Sequence, residues 1–159
     1  MNKLIPLIAL ILLVAVDARG QSDEESLRLQ LYTGCGRIHL LVNVGIEKSE
    51  ISLTEARVTT TVRSKLRGAR IYTSDLAEAS AGLIVSIRVL DNAFRYDVAL
   101  MKEVTDIYGN RGFALTWIVD NIGTHSGRDT GAQFILNAIG EQVDRFIDQY
   151  LEVNEDACE

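Results

Sequence analysis

Residues 127–154 read GRDTGAQFILNAIGEQVDRFIDQYLEVN. Phe134, Ile135, Ala138, Ile139, Val143, Phe146, Ile147, Tyr150 and Leu151 recur at steps of three and four. Asn137, Glu141, Asp144, Arg145, Asp148 and Glu152 fall between them. That spacing puts one wide apolar face on one long helix, expected over residues 130–154, with Asp129 or Thr130 as its cap. A face this wide must be covered. The upstream segments of period two are the cover large enough to do it, which makes the chain an α+β fold, a two-layer sandwich.

Those segments follow one another with clear punctuation. Ile38, Leu40, Val42, Val44 and Ile46 alternate with Arg37, His39, Leu41, Asn43 and Gly45, a strand. Val58, Val62 and Leu66 then fall at intervals of four, predicting a helix over residues 55–67 with Thr54 as N-cap. Leu53 and Val58 have the spacing of a hydrophobic staple, and Gly68 stands where a left-handed C-cap residue is expected. Ile71-Tyr72 reads as a short second strand. Leu83, Val85, Ile87 and Val89 predict a third, the Asp91-Asn92 turn follows, and Phe94, Tyr96, Val98 and Leu100 predict a fourth. Tyr108-Gly109-Asn110-Arg111-Gly112 reads as a hairpin loop, and Phe113, Leu115, Trp117 and Val119 as a fifth strand with one apolar side. The expected order is β-α-β-β-β-β-α, a mostly antiparallel sheet with two helices packed on one face.

The N-terminus has a different character. Lys3 is followed by a nearly continuous apolar run from Leu4 to Val16 and then by Ala18 and Gly20, the charge, length and ending of a secretory signal peptide over residues 1–20. The run is shorter than the roughly 20 residues a membrane-spanning helix needs. Cleavage after Gly20 fits best, and cleavage after Ala18 or retention as an anchor are the alternatives. A lipoprotein site at Tyr32-Thr33-Gly34-Cys35 is rejected, because Asp23, Glu24, Glu25 and Arg28 separate it from the apolar run. Residues 21–36 read as a polar leader, disordered at its start, and residues 37–159 as one domain. The implied location is outside the cytoplasm, periplasmic or secreted, with no transmembrane segment in the mature chain.

Two cysteines, Cys35 and Cys158, lie at opposite ends of that domain. In an oxidising compartment such a pair is expected to form a disulfide. Without Lys3, Asp17 and Arg19 the formal charge moves from −6 to −7, and this acidity argues against nucleic acid as a partner.

Catalytic motifs fare poorly. Asp129-Thr130-Gly131 spells the aspartic-protease triplet, but a helical pattern follows it directly. Gly123-Thr124-His125 echoes the histidine motif of subtilisin-like proteases without the rest of that scaffold, and Ser126 lacks the flanking glycines of a nucleophile elbow. His39 and His125 are the two histidines, and no ligand spacing surrounds either, so neither a metal nor a cofactor is expected. His39 falls on the polar side of its strand and is expected to be exposed. Phe94, Tyr96 and Trp117 are expected in the core.

Two regions carry weaker signals. Arg63, Lys65, Arg67 and Arg70 cluster at the end of the first helix, where cations favour the helix dipole and could also meet an anionic partner. Residues 120–129 form the longest polar connection, offering Asp120, Asn121, His125 and Arg128 as loop candidates.

Several short patterns carry a resemblance: Leu53-Thr54-Glu55, LRxAR-Ile over residues 66–71, Thr116-Trp117, and Phe146, Tyr150, Leu151 and Asn154 in FxxxYLxxN. On these the chain resembles a group of uncharacterised bacterial secreted proteins of similar length. Its architecture alone is similar to the N-terminal domain of TolB and to LptE-like lipoproteins, although it lacks a lipidated cysteine. The resemblance brings no catalytic residue. The expected function is that of an exported, non-enzymatic domain binding an envelope protein or an anionic surface, through the basic helix end or the exposed sheet face. The alternative is a small secreted hydrolase built around Asp120, His125 and Asp129. Open sheet edges also allow a homo-oligomer.

Overall fold

The computed structural model describes residues 24–158, and the expected signal peptide, residues 1–20, lies outside them. The chain divides between Gln30 and Leu31 into two units. In the first, the described residues are helical and Gln30 Nε2 donates to Ser26 Oγ one turn away (3.2 Å). Helix α1 spans residues 24–31. The polar leader expected there is therefore corrected to a helix that precedes the sheet; Leu27 and Leu31, four apart, were its signal.

The second unit contains β1 (Arg37–Glu47), α2 (Glu55–Gly68), a 3₁₀ turn (Leu76–Glu78), β2 (Ala79–Leu90), β3 (Ala93–Thr105), β4 (Arg111–Thr124) and α3 (Arg128–Cys158). Four strands form one sheet in the order β1-β2-β3-β4. The sheet is mixed: β1 and β2 are parallel, whereas β2-β3 and β3-β4 are antiparallel. Two of the three pairings are antiparallel, as expected of a mostly antiparallel sheet, and the expected count of five strands is corrected at Ile71-Tyr72, which makes a single bridge to Ile38 and no strand. The connection leaving β1 through α2 thus ends on β2, and a crossover through a helix delivers the next strand parallel.

Local chemistry explains the helix ends. Thr54 is extended and its hydroxyl accepts from Arg57 N at 3.3 Å, capping α2, with Leu53 and Val58 both buried as a staple requires. The left-handed residue after α2 is Arg70 (φ 62°) and not Gly68, which still belongs to the helix.

One side of the sheet is the core. Leu83, Val85, Ile87 and Val89 of β2 and Phe94, Tyr96, Val98 and Leu100 of β3 are buried with Ile135, Ile139, Val143 and Phe146 of α3 and Val58, Val62 and Leu66 of α2. Trp117 packs on Phe146 with ring centroids 5.2 Å apart, and Phe94 meets Phe134 edge-on at 6.0 Å. On α3, Phe134 and Leu151 lie outside the buried face. Tyr150, Asn154 and Cys158 follow one another at steps of four and fasten the segment before β1. Tyr150 Oη donates to Gly36 O (2.6 Å) and meets Thr33 Oγ1. Asn154 Oδ1 accepts from Thr33 N (2.9 Å) and Cys35 N (3.2 Å), and Nδ2 donates to Leu31 O (3.2 Å) and Tyr150 O (2.8 Å). Cys158 is disulfide-bonded to Cys35, with Cα atoms 5.1 Å apart.

One irregularity decides what the other side of the sheet displays. Leu100 pairs with Trp117 but Met101 pairs with Leu115, so Thr116 is an extra residue in β4. A bulge of this kind reverses the alternation beyond it. Trp117 and Val119 face the helices while Phe113 and Leu115 face away, so the single apolar side expected for this strand is split between two faces.

Candidate functional site

Half of the basic cluster at the end of α2 is occupied. Lys65 crosses Gly140 and its Nζ lies 2.7 Å from Asp144 Oδ2, and the Arg67 guanidinium sits 5.2 Å from the centre of the Tyr72 ring. Arg70 takes up the left-handed turn and Arg63 is half-buried on the helix. Two of the four cations are thus committed to holding α2 against its neighbours.

The expected loop over residues 120–129 is corrected as well: β4 runs to Thr124, and residues 125–127 alone connect it to α3. Asp120 faces away from the helices and lies 3.4 Å from Arg95 Nη2. Asn121 points to the opposite face and hydrogen-bonds Tyr96, whose phenol is pushed up by burial first and by the nearby Glu141 carboxylate second. Asp129 accepts from Ser52 Oγ at 2.5 Å, inside the first turn of α3, so Gly127 and not Asp129 precedes the helix. The Arg128 carbonyl accepts from Ser52 N at 3.4 Å. The ring of His125 packs near Phe94 and against Gly131, with both nitrogens buried and without partners. General-base chemistry uses one imidazole nitrogen toward a nucleophile and the other toward an orienting acid. Asp120 and Asp129 are engaged with other residues, neither His125 nitrogen has a partner, and neither bond is formed. His39, expected to be exposed, is half-buried with Nδ1 enclosed and unpartnered.

The face of the sheet opposite α2 and α3 presents a different chemistry. Leu41, Ile84, Ala99 and Ile118 form one cross-strand row, and His39, Gly82, Met101 and Leu115 form the next. Leu41 and Met101 close over Gly82, where a Cβ would stand 3.8 and 3.7 Å from their terminal carbons. From there the apolar surface continues along β4 to the β3-β4 loop. Exposure reaches 55% at Leu115, 56% at Ile118, 75% at Phe113, 77% at Ile122, 83% at Tyr108 and 91% at Ile107.

That loop is built to hold its shape. The Asp106 carboxylate accepts from Tyr108 N (2.8 Å), Asn110 N (2.9 Å) and Asn110 Nδ2 (2.9 Å), while Asp106 N donates to Asn110 O (2.9 Å). These bonds, the Asn110 side chain first, hold the Asp106 carboxyl below the usual carboxylate range. Two large apolar side chains are thereby displayed on a turn ordered by one carboxylate. The sequence expectation of a hairpin loop begins at Tyr108 and does not include Ile107, and an Ile-Tyr pair beside a turn is the signal for this exposed apolar tip.

Among the described residues no group of His, Cys, Asp and Glu is placed to hold a metal ion, and no helix is long and apolar enough to cross a membrane. No protein-family model and no curated protein matches the chain.

Proposed function

We propose that this chain is an exported, non-enzymatic binding domain whose contact surface is the β3-β4 hairpin together with the open face of β4. The carrying observation is the concentration of uncovered apolar side chains there, from Ile107 and Tyr108 through Phe113 and Leu115 to Ile118. Contiguous apolar patches on soluble domains mark interaction sites, and a loop whose backbone is already ordered loses less entropy on binding. The partner is a protein with an apolar cleft that receives Ile107 and Tyr108 as anchors. Export is supported by the signal-like N-terminus and by the Cys35–Cys158 bridge, since disulfides persist in oxidising compartments. The resemblance to bacterial secreted proteins points to the same compartment. An anionic surface bound through the end of α2 is less favoured, because Lys65 and Arg67 already have partners.

A photoreactive residue in place of Tyr108, activated in the native envelope, tests this reading. A cross-linked species of defined mass is expected, lost with Ile107→Ser/Phe113→Ser and retained with Arg63→Ser/Arg70→Ser. Retention in the first variant and loss in the second would move the contact to α2. Sedimentation at several concentrations separates a different partner from self-association through the outer edge of β4.

A further inference from the structure

At the end of the sheet remote from the β3-β4 loop, a pocket of about 310 Å³ opens beside the β2-β3 turn. Arg88, Leu90, Ala93, Arg95 and Ile122 line it together with Gly45 and Glu47 of β1. Its volume is at the lower end of the roughly 300–1,000 Å³ of small-molecule sites. Arg88 and Arg95 stand directly opposite each other across the β2-β3 ladder. Like charges in that relation destabilise a sheet, so each guanidinium calls for an anion. Arg95 has two, with Nη2 3.0 Å from Asp97 and 3.4 Å from Asp120. Arg111, farther along the same face, lies 3.5 Å from Glu103. Arg88, exposed and lining the pocket, makes no ion pair or hydrogen bond among the described residues. It reaches over β1 at Gly45, where a Cβ would stand 3.5 Å from its Nη1.

An unpaired guanidinium beside an apolar wall is a site for a molecule with both characters. We propose that this pocket binds a small anionic amphiphile, its carboxylate paired with Arg88 and its hydrocarbon body lying against Leu90, Ala93 and Ile122. The planar guanidinium suits a carboxylate, which it can engage through two parallel N–H donors. Glu47, which also lines the pocket, opposes a second negative charge, which favours a monoanion over a phosphate dianion. The net charge of −6 provides no long-range attraction for anions, so affinity rests on contact at the pocket.

The test is an amide-shift titration of the disulfide-bonded protein with octanoate below its micellisation concentration, alongside acetate, octanol and inorganic phosphate. Octanoate is expected to shift the amides of Arg88, Leu90 and Ile122 saturably and to bind about tenfold more tightly than acetate or octanol, the factor one charged hydrogen-bonded contact supplies. Arg88→Met should reduce octanoate to the affinity of octanol, and Ile122→Gln should reduce it toward that of acetate. Both positions are exposed, and unchanged shifts elsewhere establish that the variants fold. Equal octanoate affinity in wild type and Arg88→Met, tighter binding of phosphate, or shifts centred on Phe113 and Leu115 would overturn the proposal. The last outcome would leave the hairpin reading of the preceding subsection standing.

Discussion

Asn154 and Cys35 are connected twice. The Cys35 N–H donates to Asn154 Oδ1 at 3.2 Å, and one helical turn beyond Asn154 the chain returns to Cys35 through the Cys158 disulfide. A fully buried carboxamide with all four polar contacts filled holds the entry to β1 against the last turns of α3. Replacing it by alanine leaves two part-buried main-chain N–H groups and one buried carbonyl without their partner. Asn154→Ala is expected to cost about 3 kcal/mol, measured by chemical denaturation with the disulfide intact. A loss below about 1 kcal/mol would mean that water or local movement satisfies those groups.

The disulfide spans 123 positions of sequence. Restricting an unfolded loop of that size is worth about 4–5 kcal/mol in the chain-entropy account, and the Cys35→Ser/Cys158→Ser variant should lose about 2–5 kcal/mol. Reduction should add two hydrogens to the intact mass. Two thiols open to alkylation in the native exported protein would contradict the bridge.

Burial pushes the Tyr150 phenol above its ordinary range, with the Thr33 hydroxyl contact opposing that shift in part. The folded-state value is the raised one, so the contribution to stability is complete below the unfolded value near 10 and is lost as pH rises through the folded value. Stability should therefore fall above about pH 10, and Tyr150→Phe should flatten that fall while lowering stability at neutral pH through the lost bond to Gly36. Denaturation midpoints at stepped alkaline pH provide the comparison; identical slopes in the two proteins would assign the fall to other groups.

Asp106 carries the opposite sign. Its carboxyl is lowered in the folded protein, so the order it gives the β3-β4 loop is present above the unfolded carboxylate range and is lost as pH falls through the folded value. Acid titration should move the Tyr108 and Asn110 amide shifts together, and Asp106→Asn should abolish that step. An unchanged acid step in the variant would place its origin elsewhere.

Gly131 lies in α3, where alanine would ordinarily gain about 1 kcal/mol of helix propensity. Here a Cβ would stand 2.7 Å from His125 Nδ1 and 3.2 Å from its Cγ. Gly131→Ala is expected to destabilise the fold, and adding His125→Ala should restore much of the loss. Simple additivity of the two substitutions would show that the contact is not the cause.

Much of the interior was legible because it is periodic. Ile135, Ile139, Val143, Phe146, Ile147 and Tyr150 lie on the buried side of α3 as their spacing predicts, and Phe94, Tyr96 and Trp117 are core. The cysteine pair was legible from compartment and count. The β4 pattern was not, since Leu115 and Trp117 are both large and apolar and the inserted Thr116 leaves no mark on composition. The end of β4 was missed because an edge strand open to solvent tolerates Asp120, Asn121 and Gly123 without breaking its ladder. Helix α1 was missed because the polar, acidic run Gln21 to Ser26 outweighs the Leu27 and Leu31 pair that follows it. The outward facing of Phe113 and Leu115 followed from the same bulge and was hidden with it.

With the Cα atoms of Cys35 and Cys158 5.1 Å apart, every strand and both long helices of the second unit lie on a covalent ring. A protease cut at the exposed Tyr108 would open that ring without releasing a fragment, and the two pieces would separate on a gel under reducing conditions alone. The same closeness lets a short linker replace the disulfide, with new termini placed between Asp106 and Asn110. Such a circular permutant would keep all four strands in register and move the chain ends to the hairpin tip.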